Sequence, residues 1–295
     1  MTGPRVLVLG GNGFIGRHAV AALRAMNVSV SVGSRLACAE AHTISTAFQS
    51  RLTARAWQPI VEEYDAILNC VGILRPKGAA TYDRVHHLAP TALARACKGA
   101  GRRYVHVSAL GLSDSARSRF LTTKLAGERA IQDVGGDWII ARPSLLDGDG
   151  GYGAKWLRGV ARLPVFVAPA DARGAIAALT AEDLGVALAR LSTASAEDLR
   201  LDQSRCFELG GETTYVFADY IRGLRRRTNT RPALCITVPG WSARVGAHLC
   251  DLFNATPFSF GHWELLRRDN APHPNRLPEL LRRAPTPVIP PDAVT

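Results

Sequence analysis

Three glycines set three apart, Gly10, Gly13 and Gly16, stand between an apolar run, Val6-Leu7-Val8-Leu9, and a stretch in which Ala19, Val20, Leu23 and Met26 recur at helical spacing. A strand, a tight turn and a helix start of this kind leave backbone N–H groups unpaired at the positive end of a helix, where a pyrophosphate is held. Gly10 permits the turn, Gly13 admits phosphate to the backbone, and Gly16 lets the helix lie close on the strand. Asn12, Phe14, Ile15 and Arg17 complete the turn and its first helical residues. The chemistry is dinucleotide binding, because the glycines sit between a strand and a helix and not in an isolated turn.

Which dinucleotide is bound is read at the end of the next apolar strand, Val28-Ser29-Val30-Ser31-Val32-Gly33-Ser34-Arg35. An acidic residue there would grip the ribose 2′-hydroxyl of NAD. The chain has none; Ser34 and Arg35 offer a hydroxyl and a guanidinium fork suited to a 2′-phosphate. The expected cofactor is NADP(H) in preference to NAD(H).

The spacing Gly10-x-x-Gly13-x-x-Gly16 resembles the short-chain dehydrogenase/reductase superfamily in its extended or atypical branch. Further segments carry the resemblance: Asn69-Cys70-Val71-Gly72-Ile73-Leu74, Val107-Ser108-Ala109-Leu110-Gly111, Arg142-Pro143-Ser144, Lys124 with Gly127-Glu128, and Leu265-Leu266-Arg267-Arg268-Asp269-Asn270. The resemblance spans most of the chain. It implies that Cys70, Val71, Gly72, Ser108, Lys124 and Pro143 line the cofactor and that Arg17 lies near enough to assist at a 2′-phosphate. It also implies a catalytic Tyr-x-x-x-Lys helix, in which the lysine lowers the tyrosine pKa and holds the nicotinamide ribose. The matching residues are Phe120-Leu121-Thr122-Thr123-Lys124, and a phenylalanine has no proton to give. The helper serine of the superfamily falls a residue or two beyond Ser108, where Ala109 and Leu110 stand. Lys124 remains as a ribose contact. Among such proteins the chain is similar to the atypical group of the nucleotide-binding accessory subunit of respiratory complex I and its bacterial homologues. That group implies tight nucleotide binding without established turnover. Asn12 departs from the usual small residue or threonine, and Thr43 to Arg51 lacks the aspartate that caps adenine.

These residues need a scaffold. Alternating strand and helix patterns through about residue 145 predict a Rossmann-type doubly wound parallel sheet, with right-handed crossovers and helices on both faces. With 295 residues, 47% of them hydrophobic, the chain can form a large core. The expected organisation is a NAD(P)-binding domain at residues 1–145 and a smaller α/β lobe at 146–284 interleaved with it. A loose proline-rich tail follows at 285–295. Asp147 to Gly153 is expected as a flexible loop, and Trp156 to Leu163 as a helix. Phe207-Glu208-Leu209-Gly210-Gly211 and a helix from Tyr215 to Arg227 are assigned to the lobe.

The net charge of +11 concentrates in Arg222, Arg225, Arg226, Arg227 and Arg231, then Arg267, Arg268, Arg282 and Arg283. Such a lobe can meet an anionic membrane surface or a membrane protein complex; no recognition fold or interleaved aromatics suggest nucleic acid. Arginine in place of lysine also fits a high-GC bacterial genome. Trp241, Val245, His248, Leu249, Leu252 and Phe253 recur at helical spacing, as either an interfacial helix or a face docked on the sheet domain. That stretch is too short to span a bilayer, and no signal peptide precedes Met1, so the expected location is cytoplasmic, with a peripheral place at the inner face of the membrane. The scattered cysteines Cys38, Cys70, Cys97, Cys206, Cys235 and Cys250 read as reduced, and His86, His87 and His106 do not converge as metal ligands. Two functions stay open: a structural or sensing nucleotide-binding subunit, and an NADP(H)-dependent oxidoreductase whose proton donor is replaced by Thr122, Thr123 or Ser118 near Lys124.

Overall fold

The computed structural model describes residues 3–35, 43–201, 203–228, 231–253 and 256–290. The chain opens with β1 (Arg5–Leu9), α1 (Phe14–Ala25), β2 (Ser29–Ser34) and β3 (Thr43–Ser45). Next come α2 (Ala54–Val61), β4 (Ala66–Asn69), a π-helical turn at Asp83–Leu88, α3 (Ala89–Ala100) and β5 (Arg103–Val107). They are followed by α4 (Arg119–Val134), β6 (Trp138–Pro143), β7 (Leu146–Asp147), α5 (Tyr152–Arg162) and β8 (Val165–Pro169). Then come β9 (Leu179–Thr180), α6 (Ala181–Thr193), β10 (Cys206–Leu209), α7 (Phe217–Arg226) and β11 (Leu234–Val238). Last are α8 (Gly240–Phe253), α9 (Phe260–Leu266) and α10 (Leu277–Leu281).

Among the described residues seven strands form one sheet, in the order β3-β2-β1-β4-β5-β6-β10, with every pairing parallel. The order reverses between β1 and β4, so the crevice outside their carboxyl ends is the ligand crevice of an open α/β sheet. Both faces are covered. Val6, Val8, Leu68, Val105 and Ile139 face α1 and α6, while Leu7, Leu9, Ile67, Tyr104 and Ile140 face α2 and α3. Strands buried on both faces read as continuous apolar runs, which is why Val6 to Leu9 shows no alternation. This is the doubly wound Rossmann-type fold that the strand–helix pattern predicts.

Three expectations are corrected. Cys206–Leu209 does not belong to the lobe: as β10 it pairs with β6, Phe207 opposite Ala141 and Leu209 opposite Pro143, and it closes the main sheet. A four-residue strand is placed by its partner, and nothing local announces that partner. Second, the loop expected over Asp147 to Gly153 is shorter and is anchored at its start. The Asp147 carboxylate is buried and paired with Arg158 and Arg227, Gly148 and Gly151 lie against the Phe14 ring, and α5 already begins at Tyr152. Third, the proline-rich end is fixed as far as residue 290, since Val288 and Ile289 are buried in the lobe core with Tyr220 and Ile221. The lobe gathers α5, α7, α8, α9 and the two-stranded parallel ribbon β8–β11. Its helices start a few residues from their expected positions, α5 earlier and α7 later.

Candidate functional site

The turn after β1 has the geometry its glycines demand. Gly10 has φ +73°, and a Cβ there would press on Val71 and the Cys70 carbonyl carbon at 3.2–3.3 Å. Gly13 caps α1 through its backbone alone, with no side-chain hydrogen bond and no acid in the first turn. The helix therefore offers its first N–H groups and its positive end to an anion. A side chain at Gly16 would overlap the Gly10 carbonyl oxygen, so that position is set by the close approach of helix and turn.

Across the crevice, Asn69 shapes the turn that follows β4. Its Oδ1 accepts from the Val71 N–H (3.0 Å) and its amide donates to Tyr104 Oη (3.2 Å) and His106 Nδ1 (3.1 Å). Gly72 at the head of this turn faces open space. Ser108, just past β5, has its backbone N–H bonded to Ala141, while its buried Oγ has no hydrogen-bond partner. Pro143 closes β6, and its carbonyl accepts from Leu110 N–H (3.0 Å). At the end of β2, Ser34 is partly buried and Arg35 exposed. Arg17 lies against Phe14 and Gly150 and close enough to Asp149 to lower that carboxyl's pKa, behind the stronger effect of Arg158.

Phe120 sits in the first turn of α4, in the place expected for tyrosine, and Lys124 one turn on has its Nζ 5.7 Å from the centre of the Phe120 ring. Burial lowers the Lys124 pKa to about 8, against an opposing pull from Glu128. Its ammonium has neither a hydrogen bond nor an ion pair among the described residues. Glu128 itself binds Arg142. Gly127 lets α4 touch the π-helical turn, since a Cβ there would overlap the His86 carbonyl oxygen.

The hydroxyls expected as replacement donors are engaged elsewhere. Ser118 Oγ caps α4 by accepting from the Leu121 N–H, Thr122 Oγ1 donates to the Ser118 carbonyl (3.1 Å), and Thr123 Oγ1 donates to the Arg119 carbonyl (2.6 Å). Helix starts consume such side chains, which is why they occur there. Around Phe120 stands a set of rings that sequence reasoning missed: Tyr82 at 6.0 Å, His86 at 5.6 Å and His262 at 5.6 Å, the last stacked. Ile73 N–H donates to His86 Nε2, so His86 carries its proton on Nδ1 and points it at Thr123 Oγ1 (3.3 Å). Tyr82 Oη donates to the Leu74 carbonyl. Of the two histidines beside Phe120, His262 is the one that keeps a ring nitrogen, Nε2, without a hydrogen bond among the described residues, its Nδ1 being held by Ser259 Oγ at 2.6 Å. Burial lowers the pKa of His86 to about 2, His106 to about 3 and His262 to about 4, with Lys124 adding to the first two. All three are neutral near pH 7.

The residues fit a nicotinamide dinucleotide. An uncapped helix start beside a glycine turn suits the pyrophosphate, and the far end of the crevice holds the Ser108 hydroxyl, buried without a hydrogen-bond partner, and the Lys124 ammonium, which lies over the Phe120 ring. Residues 6–155 match the NAD dependent epimerase/dehydratase family. The chain belongs to that family. Family membership accounts for the nucleotide crevice, and residues beyond 155 lie outside the match.

Similarity reaches further in individual proteins. The ceramide reductase of Caulobacter vibrioides is 24% identical over 285 residues, covering 90% of this chain and 86% of that protein. Mouse mitochondrial NADH dehydrogenase [ubiquinone] 1 alpha subcomplex subunit 9 is 28% identical over 158 residues, 50% of this chain and 42% of that protein. Among solved structures, the Escherichia coli NADPH-dependent quinone oxidoreductase QOR2 with NADPH superposes with a TM-score of 0.69 at 14% identity, covering 96% of both chains. MoeE5 with UDP-glucuronic acid and NAD gives 0.64 at 20% identity, covering 96% and 94%. One neighbour holds NADPH and the other NAD, so the shared fold serves both nucleotides.

The basic cluster expected in the lobe is largely structural. Arg225 is buried, its guanidinium spent on the carbonyls of Ala161, Leu163 and Arg231; Arg227 binds Asp147 and the Val288 carbonyl. Arg222 pairs with Asp219 and Arg283 with Asp183. Cys70, Cys97, Cys206, Cys235 and Cys250 are free thiols, Cys38 lies outside the described residues, and no three metal-ligating side chains gather among the described ones. No helix among the described residues is long and apolar enough to cross a membrane.

Proposed function

We propose that this protein holds NADP(H) as a tightly bound ligand at a membrane surface, as a structural or sensing subunit of a membrane-associated complex, without tyrosine-dependent turnover. The observation that carries the reading is Phe120 in the place of the acid, with the Thr122 and Thr123 hydroxyls donating to helix carbonyls and Ser118 Oγ placed as the helix cap. Loss of the proton donor with retention of Lys124 is what a site kept for binding would look like. Ser34 and Arg35, with no acid beside them, favour a 2′-phosphate. The membrane placement is supported by α8, which exposes Trp241, Val245, Leu249, Leu252 and Phe253, and by the resemblance of half the chain to a subunit of a respiratory complex.

A second reading rests on His262. Its stacked ring and unbonded Nε2 put a proton-handling group beside Phe120, delivered from the lobe. In that reading a bound reduced nicotinamide would supply hydride, Lys124 would hold the ribose, and the neutral His262 ring would hydrogen-bond the substrate carbonyl and relay to its oxygen a proton drawn from water. The similarity to a ceramide reductase over most of the chain favours an apolar, lipid-like substrate.

One experiment separates the two. The purified protein is gently denatured, the released nucleotide is identified by mass, and oxidation of the bound reduced form is followed on adding quinones or long-chain keto compounds. NADPH that no acceptor consumes supports the first reading. Turnover that is lost in His262→Gln, while nucleotide binding persists, establishes the second.

A further inference from the structure

The lobe contains a cavity of about 520 Å³ between α8, α9 and the segment leading into α4. Arg117, Arg244, Arg267 and Arg268 line it, together with Trp263. Two carboxylates answer these four guanidinium groups, and neither neutralises the cavity. Glu264 is turned to the backbone N–H groups of Arg117 and Ser118 at 2.8–3.2 Å, and Asp171 binds Arg267 at 2.8 Å. Arg117, Arg244 and Arg268 have no acidic partner among the described residues. Two donors in the wall are buried and unsatisfied: Nη1 of Arg268, whose Nη2 binds Ser115, and Nε1 of Trp263, a residue 5% exposed. Buried donors without acceptors are uncommon and costly, and beside guanidinium groups without carboxylates an oxyanion is the acceptor whose charge also fits. The volume is generous for a bare phosphate and suits a phosphate ester with its attached headgroup.

The helix that supplies Arg244 also carries the apolar face. On α8 the small residues are inside, Ala243 and Ala247 packing with Phe260 and Trp263, while the bulky ones are outside. Trp241, Val245, Leu249 and Leu252 fall at i, i+4, i+8 and i+11, one stripe, with exposures of 72, 52, 50 and 71%, and Phe253 beside them at 71%. A helix that buries alanine and exposes tryptophan, leucine and phenylalanine is suited to lie in a bilayer interface. We infer that the cavity binds the headgroup phosphate of an anionic membrane phospholipid while the α8 stripe enters the acyl region of the same leaflet. The inference rests on the membrane placement proposed above and names the chemistry that would recognise the bilayer: an arginine cage for phosphate beside an apolar edge.

The test is sedimentation of the full chain with phosphatidylcholine vesicles and with phosphatidylglycerol vesicles, for the wild type, R244A/R268A and W241S/L252S, with R244E as a single-site probe that changes the charge of the cage by the same amount. Thermal unfolding and nucleotide binding verify that each variant is folded. The expected result is that the wild type binds phosphatidylglycerol vesicles about tenfold or more tightly than phosphatidylcholine. The preference collapses in R244A/R268A and R244E, and binding to both vesicles falls in W241S/L252S. Undiminished preference in both arginine variants overturns the headgroup site yet leaves the membrane placement standing. No binding of the wild type to either vesicle overturns both. Calorimetric binding of glycerol 3-phosphate or inorganic phosphate without vesicle binding assigns the cavity to a soluble phosphate ester and overturns the lipid assignment.

Discussion

The crevice between β1 and β4 and the outer edge formed by α8 and α9 depart from ordinary protein structure in opposite ways. In the crevice, polar groups stand with little to bond to among the described residues: the buried Ser108 hydroxyl has no hydrogen-bond partner, and the Lys124 ammonium faces the Phe120 ring. At the edge, a helix displays large apolar side chains to water beside arginines that lack carboxylates. Under the proposed reading, a polar molecule inside the fold would answer the first remainder and an apolar phase outside it the second. The contrast also separates what each region tolerates. Change in the crevice disturbs packing and charge together, whereas change along α8 leaves the fold nearly untouched.

Acid should expose that difference most strongly. His86, His106 and His262 are held neutral with pKa values of about 2, 3 and 4. In the unfolded chain they would take protons near pH 6.5, so the unfolded state binds more protons as pH falls below that value. Stability contributed by these groups is whole above about pH 6.5 and is lost on acidification towards pH 4, where His262 charges in the folded state too. Three such protons correspond to about 4 kcal/mol per pH unit at the steepest. Urea unfolding between pH 7 and 4.5 should show it, and a flat profile would mean that these rings are not enclosed as described.

Gly13→Val should reduce nucleotide affinity by about a hundredfold in a fluorescence titration, because the side chain stands where phosphate meets the backbone. Its Cβ would meet only the Gly10 carbonyl oxygen, at 3.0 Å, so the variant should still fold.

Lys124→Met should sharpen the contrast through its opposite signs. With a native pKa of about 8, the protonated lysine carries its burial cost at pH 7; above pH 8 the folded state sheds a proton that the unfolded state keeps until about 10.4. The variant should therefore be more stable than the wild type without nucleotide, by about 2 kcal/mol at pH 7, with the gain fading towards pH 10. It should bind nucleotide about tenfold more weakly. A loss of stability would mean that the lysine has a partner inside the protein.

Arg35→Ala should weaken NADPH by about tenfold and leave NADH nearly unchanged if, as proposed, the guanidinium serves only a 2′-phosphate. Equal losses would remove the basis for the NADP(H) assignment. Smallest of all, Trp241→Ser and Leu252→Ser should alter thermal stability by less than about 0.5 kcal/mol, the range of exposed positions. A larger loss would show that α8 is covered by protein.

The sequence made legible those features that answer a local demand. Gly10, Gly13 and Gly16 each meet a steric requirement within a few residues, and the apolar strand runs announce a sheet buried on both faces. Phe120 and Lys124, one helical turn apart, are equally local. What could not be read is placed by distant partners. β10 is four residues long and joins the sheet only because β6 offers it an edge. The arginines of α7 look like a surface charge in one dimension, yet Arg225 is drawn inside by the carbonyls of Ala161 and Leu163. His262 reaches Phe120 from the lobe, and its only local signal is Ser259, which caps α9 and holds its ring. The amphipathic pattern of α8 was visible, but not which side faces out, because alanines and aromatics satisfy the same period.

Arg75 gives these two regions a common joint. It lies a few residues beyond the Cys70–Gly72 turn, and its guanidinium grips Asp251 in the last turn of α8 and the carbonyls of Thr256 and Phe258 at 2.9 and 2.8 Å. The tilt of the apolar helix is thereby referenced to the turn that flanks the dinucleotide crevice. If nucleotide prefers one setting of that turn, linkage requires a bilayer that selects the same tilt to tighten nucleotide by the same factor. With both sites as proposed, Arg75→Ala would leave them to bind independently of one another.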